Sequence, residues 1–179
     1  MAAERSQKRN GSPRIGILIG SKTDLPFFKG ATQILERFEV PYELQIGSAH
    51  RTPEVVGRYA MTAQERGLQA IIVGAGGAAH LAGAVASHTT LPVLAVPLAT
   101  SPLQGFDALL ATVQMPAGIP VATLAVGKVG ATNAAILAVE ILALGDPRLR
   151  RELDKYRDSQ KERIAEHNRE LRESNQDRG

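Results

Sequence analysis

No cysteine and no tryptophan occur among the 179 residues, and the aromatic side chains amount to three Tyr and four Phe. Without thiols, the chain has no disulfides, no cysteine nucleophile and no zinc–cysteine centre. A chain of this length builds one domain with its own core and needs no such staple. Charge is also nearly missing from the middle, where the sole formal charge across residues 67–127 is Asp107. That stretch is nevertheless no membrane span. His80, His88, Thr89, Thr90, Pro92, Pro97 and several glycines break it before about twenty apolar residues accumulate. A neutral stretch of this length is expected to be buried against other copies of the chain.

The net charge of +3 comes from the two ends. Residues 1–13 carry three positive charges and one negative, and residues 147–179 carry ten and eight, whereas residues 14–146 carry eight and nine. A nucleic-acid binder would concentrate its cations on the folded body, so no nucleic-acid partner is expected. Residues 1–13 read as a disordered basic tail with no apolar stretch of signal-peptide length, which makes a cytoplasmic location the expectation. The phosphate of a small ligand remains compatible with this charge pattern.

Residues 14–20 (RIGILIG) form a short apolar run. Leu25, Phe28, Ala31, Ile34, Leu35 and Phe38 then recur at helical spacing, with Pro26 predicted in the first helical turn. The alternation repeats. Strands are predicted at 40–46, 69–73, 91–96 and 121–126, and helices at 53–66, from the end of the 74–83 loop to about 87, at 105–115 and at 130–144. Strands apolar throughout, each followed by a helix, imply a parallel sheet covered on both faces. Ligands bind such sheets beyond the carboxyl ends of the strands, where the strand order reverses. Residues 148–178, with Leu149, Leu153, Tyr156, Ile164 and Leu171 on one stripe, predict a long amphipathic helix whose role is packing. The expected organisation is thus a tail at 1–13, a catalytic domain at 14–146 and a helical extension at 147–179.

Three loops follow the first three strands. Gly20-Ser21-Lys22-Thr23-Asp24 sets hydroxyls and a carboxylate at a helix start, suited either to a ribose phosphate or simply to capping by Thr23 or Asp24. Ser48-Ala49-His50-Arg51-Thr52-Pro53 places an imidazole that gives and takes protons beside a guanidinium fork suited to phosphate. The plainer alternative is a surface loop in which Thr52 caps the helix. Gly74-Ala75-Gly76-Gly77-Ala78-Ala79-His80 has no bulky side chain before its histidine, so a flat ligand can lie against its main chain. It is no dinucleotide fingerprint, since it follows the third strand and lacks the acid about twenty residues on. His80 taken alone reads better as a hydrogen-bonded structural histidine than as a site residue. His88 and His167 read as structural or solvated, and no spacing of His with carboxylates suggests a metal site.

The motifs RIGILIGSKTD, SAHRTP, GAGGAAHLAG, LPVLAVP, VQMPAGIPVATLA and GATNAAILA, in this order, closely resemble the 5-(carboxyamino)imidazole ribonucleotide mutase family of purine biosynthesis, the bacterial phosphoribosylaminoimidazole carboxylase catalytic subunits. The resemblance covers residues 14–146. It implies a flavodoxin-like three-layer α/β sandwich with a five-stranded parallel sheet, assembled as a homo-octamer and working without metal or organic cofactor. It also implies transfer of a carboxylate from the exocyclic nitrogen of an imidazole ribonucleotide to the neighbouring ring carbon. By that resemblance His50 is the catalytic residue, and Ser21, Asp24, Ser48 and Arg51 bind ribose and phosphate. Ala75, Gly76, His80 and Leu81 line the imidazole and carboxylate site. Two departures stand out. Ala82 replaces the family's usual Pro, and residues 98–112 lack several of its polar side chains.

The family's other branch carboxylates aminoimidazole ribonucleotide with free carbon dioxide. It carries SAHK and lacks GAGGAAH, so Arg51 and residues 74–80 favour the mutase. A related nicotinate dinucleotide carboxylation depends on cysteine, which this chain lacks. A non-catalytic flavodoxin-like module is the remaining class. A receiver would need an acidic cluster at the strand ends and a flavin binder would offer stacking aromatics, and neither is present in these loops.

Overall fold

The computed structural model describes residues 11–176. Most of the predicted basic tail and the last residues of the predicted C-terminal helix lie outside that range. The chain divides between residues 141 and 142 into two compact units.

The first unit is built on five parallel strands, β1 (Ile15–Ile19), β2 (Tyr42–Ile46), β3 (Ala70–Gly76), β4 (Val93–Leu98) and β5 (Ala122–Thr123), in the spatial order β2-β1-β3-β4-β5. The connecting helices are α1 (Lys29–Arg37), α2 (Pro53–Met61), α3 (His80–Ala86) and α4 (Phe106–Val113), and α5 (Gly127–Ala143) follows β5. The order reverses at β1, because the chain leaves β1 toward β2 and crosses back to β3 on its other side. That is where an open parallel sheet forms its ligand crevice.

Period-two alternation sends β1 side chains to both faces. Leu18 joins Val56, Tyr59, Leu68, Ile71, Val73, Leu81 and Val85 in a core on the side of α2 and α3. Ile19 and Phe28 sit together on the opposite face, where both flank Gly74. On that side α1 approaches α5 so closely that a Cβ on Gly30 would overlap the Thr132 hydroxyl. Ile15, Ile17, Leu18 and Ile19 are all fully buried. Burial of each such side chain stabilises the fold by about 1.5–3 kcal/mol. On the Leu18 face Gly16 leaves room for the Tyr59 hydroxyl, and Arg66 stacks over the Tyr59 ring with its guanidinium carbon 4.6 Å from the centroid while pairing with Glu43 at 2.9 Å.

Several expectations shift. Residues 22–27 form a separate 3-10 helix containing Pro26, so the proline is not in the first turn of α1. β2 (YELQI) is only half-buried, because it is an edge strand and can carry Glu43 and Gln45 toward water. β3 runs on to Gly76, so Gly74, Ala75 and Gly76 belong to a strand and not to a loop. β4 is displaced by two residues to 93–98, α2 stops at Met61, β5 shrinks to two residues at the other edge, and α5 starts at Gly127.

The second unit contains α6 (Pro147–Gln176). Asp146 caps it, its Oδ1 accepting from the amides of Arg148 at 3.1 Å and Leu149 at 3.3 Å, and Pro147 occupies the first position, where no amide hydrogen is needed. The predicted stripe divides. Leu149 and Leu153 are buried, whereas Ile164 and Leu171 are each 61% exposed, so packing accounts for only the first turns of this helix.

Candidate active site

Three loop starts are tied side by side by the extension of the parallel ladder. The amide of Gly47 donates to the Ile19 carbonyl at 2.9 Å, and the amide of Gly20 donates to the Gly74 carbonyl at 3.2 Å. The segments after β2, β1 and β3 therefore leave the sheet as neighbours.

After β1, Ser21 turns the chain. Its backbone is extended (φ −155°), and its hydroxyl oxygen accepts from the Thr23 amide at 3.3 Å and from the Thr23 hydroxyl at 2.9 Å. Ser21 is thus the cap, in place of the expected Thr23 or Asp24. Asp24 folds back over the end of β1, where its Oδ2 would lie 3.5 Å from a Cβ on Gly20, and it is only 5% exposed. Burial pushes its carboxyl above the ordinary 3.8, against the opposing pull of backbone hydrogen bonds from Ser21 and Gly20.

After β2, Ser48 and Thr52 close a tight turn. The Thr52 amide donates to the Ser48 carbonyl at 2.9 Å, and the Thr52 hydroxyl accepts from the Ser48 amide at 3.0 Å and donates to the Ser48 carbonyl at 3.2 Å. Thr52 makes no side-chain cap to α2, contrary to the capping alternative. The Ser48 hydroxyl accepts from the Arg51 amide at 3.2 Å and from Arg51 Nε at 3.4 Å, so it steers the guanidinium. His50 and Arg51 project from this turn, both exposed.

After β3, Gly77 (φ +60°) and Ala79 (φ +47°) take left-handed conformations that swing the chain into α3. Such a conformation strains a residue with a Cβ, and here the strained Ala79 immediately precedes His80. His80 opens α3, and its Nδ1 lies 2.6 Å from His50 Nε2. The rings meet edge to face, with centroids 4.8 Å apart and planes at 81°. One ring donates and the other accepts, so the pair shares a single hydrogen between the facing nitrogens. Ala75 and Gly76 form the half-buried end of β3. Leu81 is 3% exposed and packs in the α2–α3 core, so it can offer a ligand only main chain.

The structure therefore brings His50 and His80 together and seats Arg51 on Ser48. Ser21 and Asp24 stand on the neighbouring strand end. Thr100 belongs to the 98–112 segment singled out in the sequence. A Cβ on Gly76 would overlap its hydroxyl, so the chain after β4 presses directly on the end of β3. His88, bonded through Nδ1 to the Ala84 carbonyl at 2.8 Å, lines a separate groove of about 1030 Å³ with Met61, Gln64, Pro92 and Ile119. Among the described residues, no group of three or more His, Asp or Glu side chains is placed to hold a metal ion, and no helix is long and apolar enough to cross a membrane.

Residues 14–163 match the family model described as AIR carboxylase. The N5-carboxyaminoimidazole ribonucleotide mutase of Pyrococcus abyssi is 54% identical over 151 residues, covering 84% of this chain and 86% of that protein. The mutase of Bacillus subtilis is 51% identical over 154 residues, covering 86% and 95%. A chloroplastic phosphoribosylaminoimidazole carboxylase of Vigna aconitifolia is 52% identical over 153 residues, but the match spans only 27% of that longer protein. Among solved structures, the crystal structure of Treponema denticola PurE superposes with a TM-score of 0.77 at 29% identity, covering 86% of this chain and 95% of that one. The flavodoxin-like order of the sheet and these matches agree, and the chain belongs to the AIR carboxylase family.

Proposed function

We propose that this protein is an N5-carboxyaminoimidazole ribonucleotide mutase, an isomerase of purine biosynthesis that moves a carboxylate from the exocyclic nitrogen of its substrate to the adjacent ring carbon. The observation that carries the reading is the imidazole pair, His50 Nε2 and His80 Nδ1 at 2.6 Å, at strand ends that also bear Ser21, Asp24 and Arg51. Protonated His50 delivers its proton to the carbamate nitrogen as the carbon–nitrogen bond breaks and carbon dioxide departs. The electron-rich ring carbon then attacks the trapped carbon dioxide, and the carbon–carbon bond forms. Neutral His50 finally removes the hydrogen from that carbon, which restores the aromatic ring and the protonated imidazole. The protein ends as it began.

Each step asks the residues for something their chemistry supplies. An imidazole serves as acid and base in turn near neutral pH. The shared hydrogen with His80 fixes the ring plane of His50, so the proton moves along a set direction. Arg51, oriented by Ser48, offers a fork of donors to the phosphate, and Asp24 accepts from ribose hydroxyls. Ala75 and Gly76 let the flat heterocycle lie against main chain. Leu81 contributes its backbone to the same wall. We read residues 14–146 as the catalytic domain and 147–179 as a helical extension, and the working form as a cytoplasmic homo-octamer without metal or organic cofactor.

The experiment supplies purified protein, without ATP, either with the carbamate nucleotide or with aminoimidazole ribonucleotide plus bicarbonate. Rapid carboxylated product from the first substrate alone supports the mutase. Equal or preferential use of the second makes the protein a carboxylase, the reading favoured by the chloroplastic relative's name. No product from either removes both.

A further inference from the structure

The chain that leaves β4 is anchored on both sides of Thr100 as it passes the end of β3. The Thr100 amide donates to the Leu98 carbonyl at 3.0 Å, a three-residue turn on the last residue of β4. Before Thr100, the backbone of Ala99 presses on Gly105, where an added Cβ would lie 3.2 Å from the Ala99 Cα. After it, the Ser101 hydroxyl accepts from the Leu103 amide at 3.2 Å, and the Ser101 carbonyl accepts from the Gln104 amide at 3.0 Å. The Ser101 hydroxyl also bonds the Asp107 carboxylate, the main cause holding that carboxyl below its ordinary 3.8.

Between these anchors the Thr100 side chain is set against Gly76, whose bare main chain admits it. Thr100 is exposed, and among the described residues no hydrogen bond takes up its hydroxyl. The neighbouring polar groups are engaged elsewhere. Ser101 and Asp107 hold each other, and the Thr112 hydroxyl donates to the Ala108 carbonyl at 2.6 Å. Ala75, Leu98 and Ala99, the other residues at this end of β3 and β4, bring no polar side chain. Because β4 lies on the far side of β3 from β1, Thr100 bounds the crevice opposite Ser21 and Asp24.

We infer that Thr100 is a specificity-determining residue whose hydroxyl donates a hydrogen bond to the substrate carboxylate, where the heterocycle lies against Gly76. The inference rests on the mutase reading and adds a donor from the fourth strand end to it. A hydroxyl suits a group that changes place. Its hydrogen turns about the carbon–oxygen bond, so one donor follows the carboxylate from the exocyclic nitrogen to the adjacent carbon. It is also uncharged. A fixed cation there would hold the carboxylate and oppose its release as neutral carbon dioxide, stabilising the bound nucleotides without lowering the barrier between them.

The test compares the full-length wild type, Thr100→Val and Thr100→Ser by calorimetry with two ligands, aminoimidazole ribonucleotide and the carboxylated product nucleotide. Thr100→Val is expected to bind the carboxylated nucleotide about tenfold more weakly and the uncarboxylated one within about twofold of the wild type. Thr100→Ser keeps the hydroxyl and is expected to bind both as the wild type does. Undiminished binding of the carboxylated nucleotide by Thr100→Val, an equal loss for both ligands, or a Thr100→Ser that loses as much as Thr100→Val overturns the proposal. If the valine methyl crowds Gly76 and the variant does not fold, Thr100→Ala takes its place with the same expected and overturning results. Turnover of the carbamate nucleotide by the wild type, measured on the same samples, tests the mutase reading separately. An active wild type with an unaltered Thr100→Val removes only the role of the hydroxyl, whereas a wild type that neither binds nor converts these nucleotides removes both.

Discussion

His50 Nε2 and His80 Nδ1 approach to 2.6 Å although thirty residues separate them, and each stands at the end of a different βα connection. Two imidazoles this close share one hydrogen between their facing nitrogens, which fixes the two rings relative to one another. In the proposed reaction His50 exchanges the proton with the substrate while His80 holds its ring in place.

For His50→Asn, the fold and nucleotide binding are expected to persist while kcat falls by about 10²–10⁴-fold, the contribution of a positioned acid–base group. Steady-state kinetics with the carbamate nucleotide, alongside binding measured by calorimetry, check this. Retained turnover would remove His50 from its role.

If His80 orients His50, His80→Ala is expected to act mainly on kcat, lowering it by about ten- to a hundredfold with a smaller change in KM. His80→Asn, whose side-chain amide occupies the place of Nδ1, should recover part of the loss. A change confined to KM would make His80 a purely binding residue.

Asp24 couples stability to pH. Its carboxyl is raised above 3.8 by burial, so the native state favours the protonated form. The resulting stabilisation is complete below 3.8 and is lost as pH rises through the raised native value. At neutral pH the ionised, buried carboxylate therefore opposes folding. Thermal melts of Asp24→Asn should show a higher Tm at pH 7 and an advantage that shrinks as the pH is lowered toward 3.8. The same variant should raise KM about tenfold or more through loss of a charged hydrogen-bond acceptor. A lower Tm at pH 7 would contradict the argument.

Gly74 lies within β3, where an added Cβ would overlap the ring of Phe28, itself 1% exposed. Gly74→Ala should destabilise the protein by about 1–3 kcal/mol, the cost of overpacking a filled core. Denaturant unfolding measures it, and a change near zero would mean that the Phe28 ring moves aside freely.

The alternation of strand and helix was legible from apolar runs and helical spacing, because those periods are set by backbone geometry that every residue obeys locally. The three loops were legible for the same reason. What blurred were the edges of elements. Gly74, Ala75 and Gly76 read as loop by composition, yet ladder bonds to β1 and β4 hold them in a strand. Pro26 read as an α-helical start, yet Ser21 captured the turn and made a separate 3-10 helix.

By itself, then, the sequence determined the parallel α/β class and the family, and it offered the residues proposed here for acid–base and phosphate chemistry. Only the tertiary structure decided that His50 meets His80, that Asp24 is buried over Gly20 and that Thr100 lies against Gly76. Each of these depends on the order of strands in the sheet and on which helix covers which face. That order is settled by long-range packing of side chains far apart in the chain, which local periodicity does not encode.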